Sequence, residues 1–143
     1  MTQKFRVWDK EQNVWLNDYL GLYITPKGKL LCESYEGEDE VLREANRTFQ
    51  EVMYSTGLKD KNGVEIYEGD IVKRTFLFNG GYGETFTGEI VYDEEYARYV
   101  ISRPQKYIEP KTEDLGNVLS SKSTYEVIGN IYENTELLKE KNK

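Results

Sequence analysis

The sequence predicts a mainly β protein, with hairpins at its start and a small barrel or sandwich in its second half. Three observations lead there. Short runs of alternating apolar and polar residues recur along the chain, as in "KFRVWDKEQNVWL", "TFTGEIVYD" and "RYVISR". Turn signals rich in glycine, proline and asparagine separate them. Nowhere do such runs alternate regularly with long helical patterns, which argues against a parallel doubly wound sheet.

In chain order, Phe5 and Val7 share one face of the first run, and Arg6 and Trp8 share the other. Val14 and Leu16 answer them across a polar turn at Lys10 to Asn13, which makes a hairpin. "LGLYIT", the Pro-x-Gly turn in "PKGK", and "LLCESY" make a second hairpin. "EGEDE" follows as an acidic tip. "VLREANR", residues 41 to 47, reads as a short helix, and "TFQEVMYST" as a strand with one mixed face, as at a sheet edge or subunit contact.

Gly57 and "KDKNG" read as turn residues, with Asn62-Gly63 the strongest hairpin signal in the chain. Gly69-Asp70 interrupts two β-rich runs, "VEIYEGD" and "IVKRTFLF", where a glycine can swing the chain sharply. The Asp70 side chain is expected to accept backbone amides there. "NGGYGE" reads as a hairpin loop, and residues 104 to 123 as a long connection without periodicity. "YEVIGNIYE" is the last strand, bent at Gly129, and "NTELLKEKNK" a helical turn capped by Asn134 or Thr135. The expected organisation is therefore a hairpin and oligomerisation region over residues 1–56, a small barrel over 57–138 and a frayed tail over 139–143.

Composition removes whole classes of function. The 143 residues carry a net charge of −7, which disfavours broad contact with phosphate backbones. There is no histidine, so a Ser-His-Asp triad, a histidine metal site and an imidazole base are absent from the chain. The one cysteine, Cys32, can form no internal disulfide and reads as a small core residue. The N-terminal stretch resembles no signal peptide and no run is long and apolar enough to span a membrane, so the expected place is the cytoplasm.

"YSTGLKDKNGVEIYEGDIV" (54 to 72), "YEVIGNIYENTELL" (125 to 138) and the opening "KFRVWDKEQNVW" closely resemble the signature segments of the YopX family. Its members are small bacteriophage and prophage proteins of uncharacterised function. The resemblance implies a β-rich chain whose second half is a barrel similar to the Src-homology-3 type, inside a bacterial host. No catalytic residues are established for the family, so none carry over. Thr135 stands where relatives usually have proline, which leaves the first turn of the final helix less stiff.

Several sharper readings give way to plainer ones. "NGGYGE" lacks the following helix a phosphate cradle needs. "EGEDE" and Asp93 to Glu95 lack a full calcium-loop pattern. The acid pairs Glu65 with Glu68, and Glu68 with Asp70, fit turn chemistry better than acid–base work. Gly57, Asn62, Gly63, Gly69, Asp70 and Gly129 are accordingly structural. The candidate surface is Tyr67, Lys73, Arg74, Tyr92, Tyr96, Arg98, Tyr99 and Arg103, where aromatic and basic side chains interleave. Three functions compete: a non-catalytic interaction module that self-associates and binds a host or phage protein, a nucleic-acid-binding accessory protein using the barrel, and, last, a carboxylate enzyme. No cofactor, metal or membrane is expected.

Overall fold

A computed structural model describes residues 4–45, 48–78, 81–103, 111–114 and 123–138. The chain divides into two compact units: Phe5–Met53, and Lys4 together with the chain from Tyr54 onward.

In the first unit β1 (Phe5–Asp9) pairs antiparallel with β2 (Val14–Trp15), placing Trp8 opposite Trp15. The turn forms because Asp9 holds it: Oδ1 accepts the amides of Glu11 at 2.9 Å and Gln12 at 3.0 Å. The Gln12 amide, the largest influence, holds the Asp9 carboxyl below its ordinary range against the opposing effect of burial. Asn13 closes the turn in the left-handed region, φ 57°, which asparagine tolerates. A second, three-stranded antiparallel sheet runs β3 (Leu22–Ile24), β4 (Leu30–Glu36) and β5 (Asp39–Glu44). Val7, Leu16 and Leu30 form the core, with Phe5, Val14, Leu22, Ile24, Ala45 and Val52 packed against them.

The expected helix over 41 to 47 is instead the strand β5. A seven-residue helix pays a nucleation cost that its few bonds do not recover. Pairing along β4, from Leu31–Glu44 to Glu36–Asp39, satisfies the same backbone groups at once. Asn46 and Arg47 lie outside the described residues.

Strand β6 (Gln50–Lys59) runs from the first unit into the second. It continues through Gly57, which was expected to turn. Gly57 has φ 80° and sits where the register with β7 (Glu65–Tyr67) shifts between Ser55 and Lys59, so it is a bulge within the strand. The turn comes later, where Asp60 and Val64 close it with an amide–carbonyl bond of 2.8 Å and Gly63 takes φ 80°.

β8 (Asp70–Phe78), β9 (Gly81–Asp93), β10 (Arg98–Arg103), β11 (Lys111–Asp114) and β12 (Ser123–Asn130) form one antiparallel sheet in the order β11-β10-β9-β8-β12. It curls into a half-barrel, so the fold is mainly β and small-barrel-like. Ile66, Val72, Ile90, Ile101 and Tyr125 are its buried core, flanked by Leu58, Tyr99 and Val127. The stretch 104 to 123, read as connection, contains β11, which pairs with β10 from Val100–Asp114 to Arg103–Lys111. Residues 104–110 and 115–122 lie outside the described residues, as do Asn79 and Gly80 of the "NGGYGE" loop, whose flanks Phe78 and Gly81 are paired.

Gly69-Asp70 sits at the entry to this sheet. Gly69 has φ 80°, its amide donates to the Ile90 carbonyl at 2.9 Å, and its carbonyl accepts from Ile131 at 2.9 Å. Asp70 is 2% exposed and its Oδ2 accepts the Tyr67 amide at 2.8 Å, on the near side of the turn. At the far end Gly129 lies at a register shift in β12. A 3-10 turn, Thr135–Leu138, ends the described chain. The side chain of Asn134 does not cap it forward but reaches back to accept the Asn130 amide at 3.2 Å.

Asp60 joins two of these elements. Its Oδ1 accepts Asn62 at 2.8 Å and Val64 at 2.9 Å within the turn, and its Oδ2 accepts Val127 of β12 at 2.9 Å. Burial pushes this carboxyl up, but the amides of Val127, Val64 and Asn62 with the Lys61 charge outweigh it, and the net shift is downward. Tyr125 lies beside it, donating its hydroxyl to the Lys59 carbonyl at 3.3 Å. Burial, and then the Asp60 charge, push the Tyr125 phenol up to about 12.

Candidate functional site

Strand register sorts the eight candidate surface residues, because direct cross-strand partners share a face. Val72 lies opposite Val127, and Ile90 opposite Ile101, all on the core face. Arg74 is on that same face, opposite Tyr125, and only 6% exposed. Lys73 points the other way, exposed, opposite Glu126 and Thr87. Tyr67 lies on β7, half-buried opposite Ser55. Arg103 stands opposite Lys111 in the ladder, and its side chain lies outside the described residues. These four do not form one surface.

The other four meet at the tip of the β9–β10 hairpin. Tyr92 is the direct partner of Tyr99, and their rings pack edge to face with centroids 5.1 Å apart at 68°. This pair extends the row of Ile90 and Ile101 beyond the core, so Tyr99 is half-buried while Tyr92 remains 44% exposed. On the opposite face of the ribbon, Arg98 pairs in register with Asp93. Its guanidinium lies 5.0 Å from the centre of the Tyr96 ring, and its Nε is 3.7 Å from Asp93 Oδ2.

The loop "EEYA", residues 94–97, has a local cause. Asp93 Oδ1 accepts the Glu95 amide at 3.1 Å, and Ala97 takes the left-handed conformation at φ 52°. That bend leaves Tyr96 64% exposed at the apex. The tip thus presents aromatic rings on both sides and one guanidinium, rimmed by Glu94 and Glu95. Such a surface suits flat, desolvating contact with another protein, where Tyr and Arg carry much of the binding energy. The carboxylates beside it repel phosphate.

The acid pairs have other occupations. Glu65 is engaged by Lys4 Nζ at 3.2 Å, Glu68 Oε1 accepts the Tyr54 amide at 3.0 Å, and Asp70 accepts Tyr67. Glu36 of the acidic tip pairs with Arg43 at 2.7 Å. Among the described residues no group of three or more His, Cys, Asp or Glu side chains is placed to hold a metal ion. Burial pushes the Cys32 thiol up, away from the thiolate that a nucleophile requires.

A second aromatic–cation group lies in the first unit and escaped sequence reasoning. The Arg6 guanidinium sits 4.6 Å from the centre of a Trp15 ring, and Trp8 meets Trp15 edge to face at 4.9 Å. The signal was present: Arg6 and Trp8 share a strand face, and the hairpin brings Trp15 opposite. With Trp8 only 5% exposed, this stack is mostly packing.

A family model described as "YopX protein" matches residues 4–139. The crystal structure of protein yopX from Bacillus subtilis aligns at 26% identity and a TM-score of 0.64, over 96% of this chain and 98% of that one. The crystal structure of protein EF1440 from Enterococcus faecalis aligns at 27% identity and a TM-score of 0.57, over 97% of this chain and 99% of that one. None of the curated proteins matches the chain. No helix among the described residues is long and apolar enough to cross a membrane.

Proposed function

The chain belongs to the YopX family, and on that premise we propose that it is a non-catalytic protein–protein interaction module that self-associates through the β9–β10 tip. Its setting is that of a phage or prophage accessory protein acting in the bacterial cytoplasm. The observation that carries the reading is the exposed aromatic and arginine group at that tip, with Tyr96 64% and Tyr92 44% exposed. Rings held by a cross-strand partner or a guanidinium lose little further freedom on binding, which favours them as contact residues. The absence of histidine supports a role in binding rather than proton transfer. The net charge of −7 and the acidic rim of the tip favour a protein surface over nucleic acid.

Sedimentation velocity over a range of concentrations tests this. The wild type is expected to sediment as a multiple of the 16.8 kDa chain. Tyr96→Ala and Arg98→Ala are each expected to weaken association about tenfold or more. Tyr96 is an exposed turn residue, so its removal is expected to change folding stability by no more than about 0.5 kcal/mol. A wild type that stays at 16.8 kDa throughout sinks the reading, as does association that both variants leave intact.

A further inference from the structure

The sheet β3-β4-β5 has one face in the core and one in solvent. Leu22, Ile24 and Leu30 fix the inward face. The register then places Tyr23, Leu31, Glu33, Tyr35, Glu40, Leu42 and Glu44 on the outer one. Its rows read Tyr23–Leu31–Glu44, then Glu33–Leu42, then Tyr35–Glu40. Three of its apolar or aromatic side chains stand well into solvent: Tyr35 at 68%, Leu42 at 52% and Tyr23 at 49%. An outward sheet face is ordinarily polar, and this one groups three exposed apolar or aromatic side chains with glutamates.

The charges on the face say what kind of occupant it suits. Glu33, Glu40 and Glu44 are its carboxylates, and no lysine or arginine stands among them in the register. Arg43 and its partner Glu36 belong to the inward-facing rows. Glu33 is fixed in place, its Oε1 accepting the Gly21 amide at 2.7 Å. Glu40 stands on the diagonal from it, close enough for their carboxyls to share a hydrogen bond that raises the Glu40 pKa above its ordinary range. Two carboxyls held together in solvent are an unfavourable arrangement that an incoming cation would relieve.

We infer that this outer face docks a basic segment of another protein, one in which Lys or Arg alternates with aliphatic or aromatic side chains. The basic groups meet Glu33, Glu40 and Glu44, and the apolar ones cover Tyr23, Tyr35 and Leu42. A second copy seated on it symmetrically would oppose the glutamates to their own kind. Nucleic acid and anionic lipid are repelled by the same charges. This surface lies on different strands from the β9–β10 tip and stands independently of it.

The probe is a labelled twelve-residue peptide alternating Arg with Leu and Tyr, titrated against the full chain by fluorescence anisotropy. A peptide with Glu for Arg serves as control. The basic peptide is expected to bind and the acidic one not. Leu42→Ala is expected to weaken binding at least fivefold. Glu40→Lys is expected to weaken it at least tenfold while leaving the melting temperature unchanged or higher, because it replaces the Glu33–Glu40 clash with an ion pair. The double variant Glu94→Gln with Glu95→Gln, at the hairpin tip, is expected to bind as the wild type does. Equal affinity for Glu40→Lys and wild type overturns the proposal. So does a loss as large for the tip variant as for Glu40→Lys, which would mark the binding as general attraction to an acidic protein.

Discussion

Replacing Asp60 with alanine is expected to destabilise the chain by about 3–4 kcal/mol, since it removes a buried carboxylate that accepts three backbone amides at once. The carboxylate is 7% exposed and takes the amides of Asn62, Val64 and Val127 at 2.8–2.9 Å. One side chain thereby closes the β6–β7 turn and ties it to β12. Asp60→Asn separates these two tasks. Its remaining oxygen can serve the turn, but its amide nitrogen then faces the Val127 N–H, donor against donor. It is expected to fall between wild type and Asp60→Ala, with Val127 the amide whose hydrogen exchange accelerates most. Urea unfolding followed by far-UV circular dichroism gives the magnitudes. The pH dependence has a definite sign. The folded-state pKa lies below the ordinary 3.8, so the contribution is complete above that value and is lost as the pH falls through the folded pKa. Asp60→Ala is expected to have lost that portion of the acid sensitivity.

Gly88→Ala is the second large effect, expected to cost about 2–3 kcal/mol. A Cβ built at Gly88 lies 2.6 Å from Ile101 Cγ2 and 2.8 Å from the Ser102 carbonyl oxygen. The side-chain contact can be relieved by rotation, whereas the backbone contact forces β9 and β10 apart. These strands carry Ile90 and Ile101, both fully buried, so the separation reaches the centre of the core. Gly63→Ala is the control. Gly63 has φ 80° but nothing within 4 Å of its built Cβ, so only backbone strain of about 1–2 kcal/mol applies. Equal losses for the two variants would contradict the close approach at Gly88.

Much of this architecture is written in local pattern. Pro-x-Gly before "LLCESY", Asn62-Gly63 and the Gly69-Asp70 pair each mark a turn by the conformation its residues favour, and the alternating runs between them are strands. What escaped was decided by pairing. "KTED" has no apolar residue to alternate, yet it forms β11 because the backbone of β10 offers a ladder. "VLREANR" carries helix formers, and β4 overrides them. An isolated glycine in "TFTGEIVYD" marks a close approach that no turn signal accompanies.

The candidate surface divided for the same reason. Parity along a strand is legible, so Lys73 and Arg74 must face opposite ways. Which of them is buried depends on the sheet, and Arg74 is the one turned inward. Tyr92 and Tyr99 came together because they are equidistant from a loop whose length the sequence shows, Glu94 to Ala97. The tyrosines of the outer β3-β4-β5 face were invisible as a group, since they become neighbours only through the register of three strands.

Self-association through the β9–β10 tip is the proposal on which the functional reading stands. Hydrogen–deuterium exchange of the wild type, compared between dilute and concentrated solution, addresses that directly. Protection that rises with concentration over residues 92–99 is the expected result. Protection that rises elsewhere, with 92–99 exchanging alike in both solutions, would place the contact on another surface and contradict it.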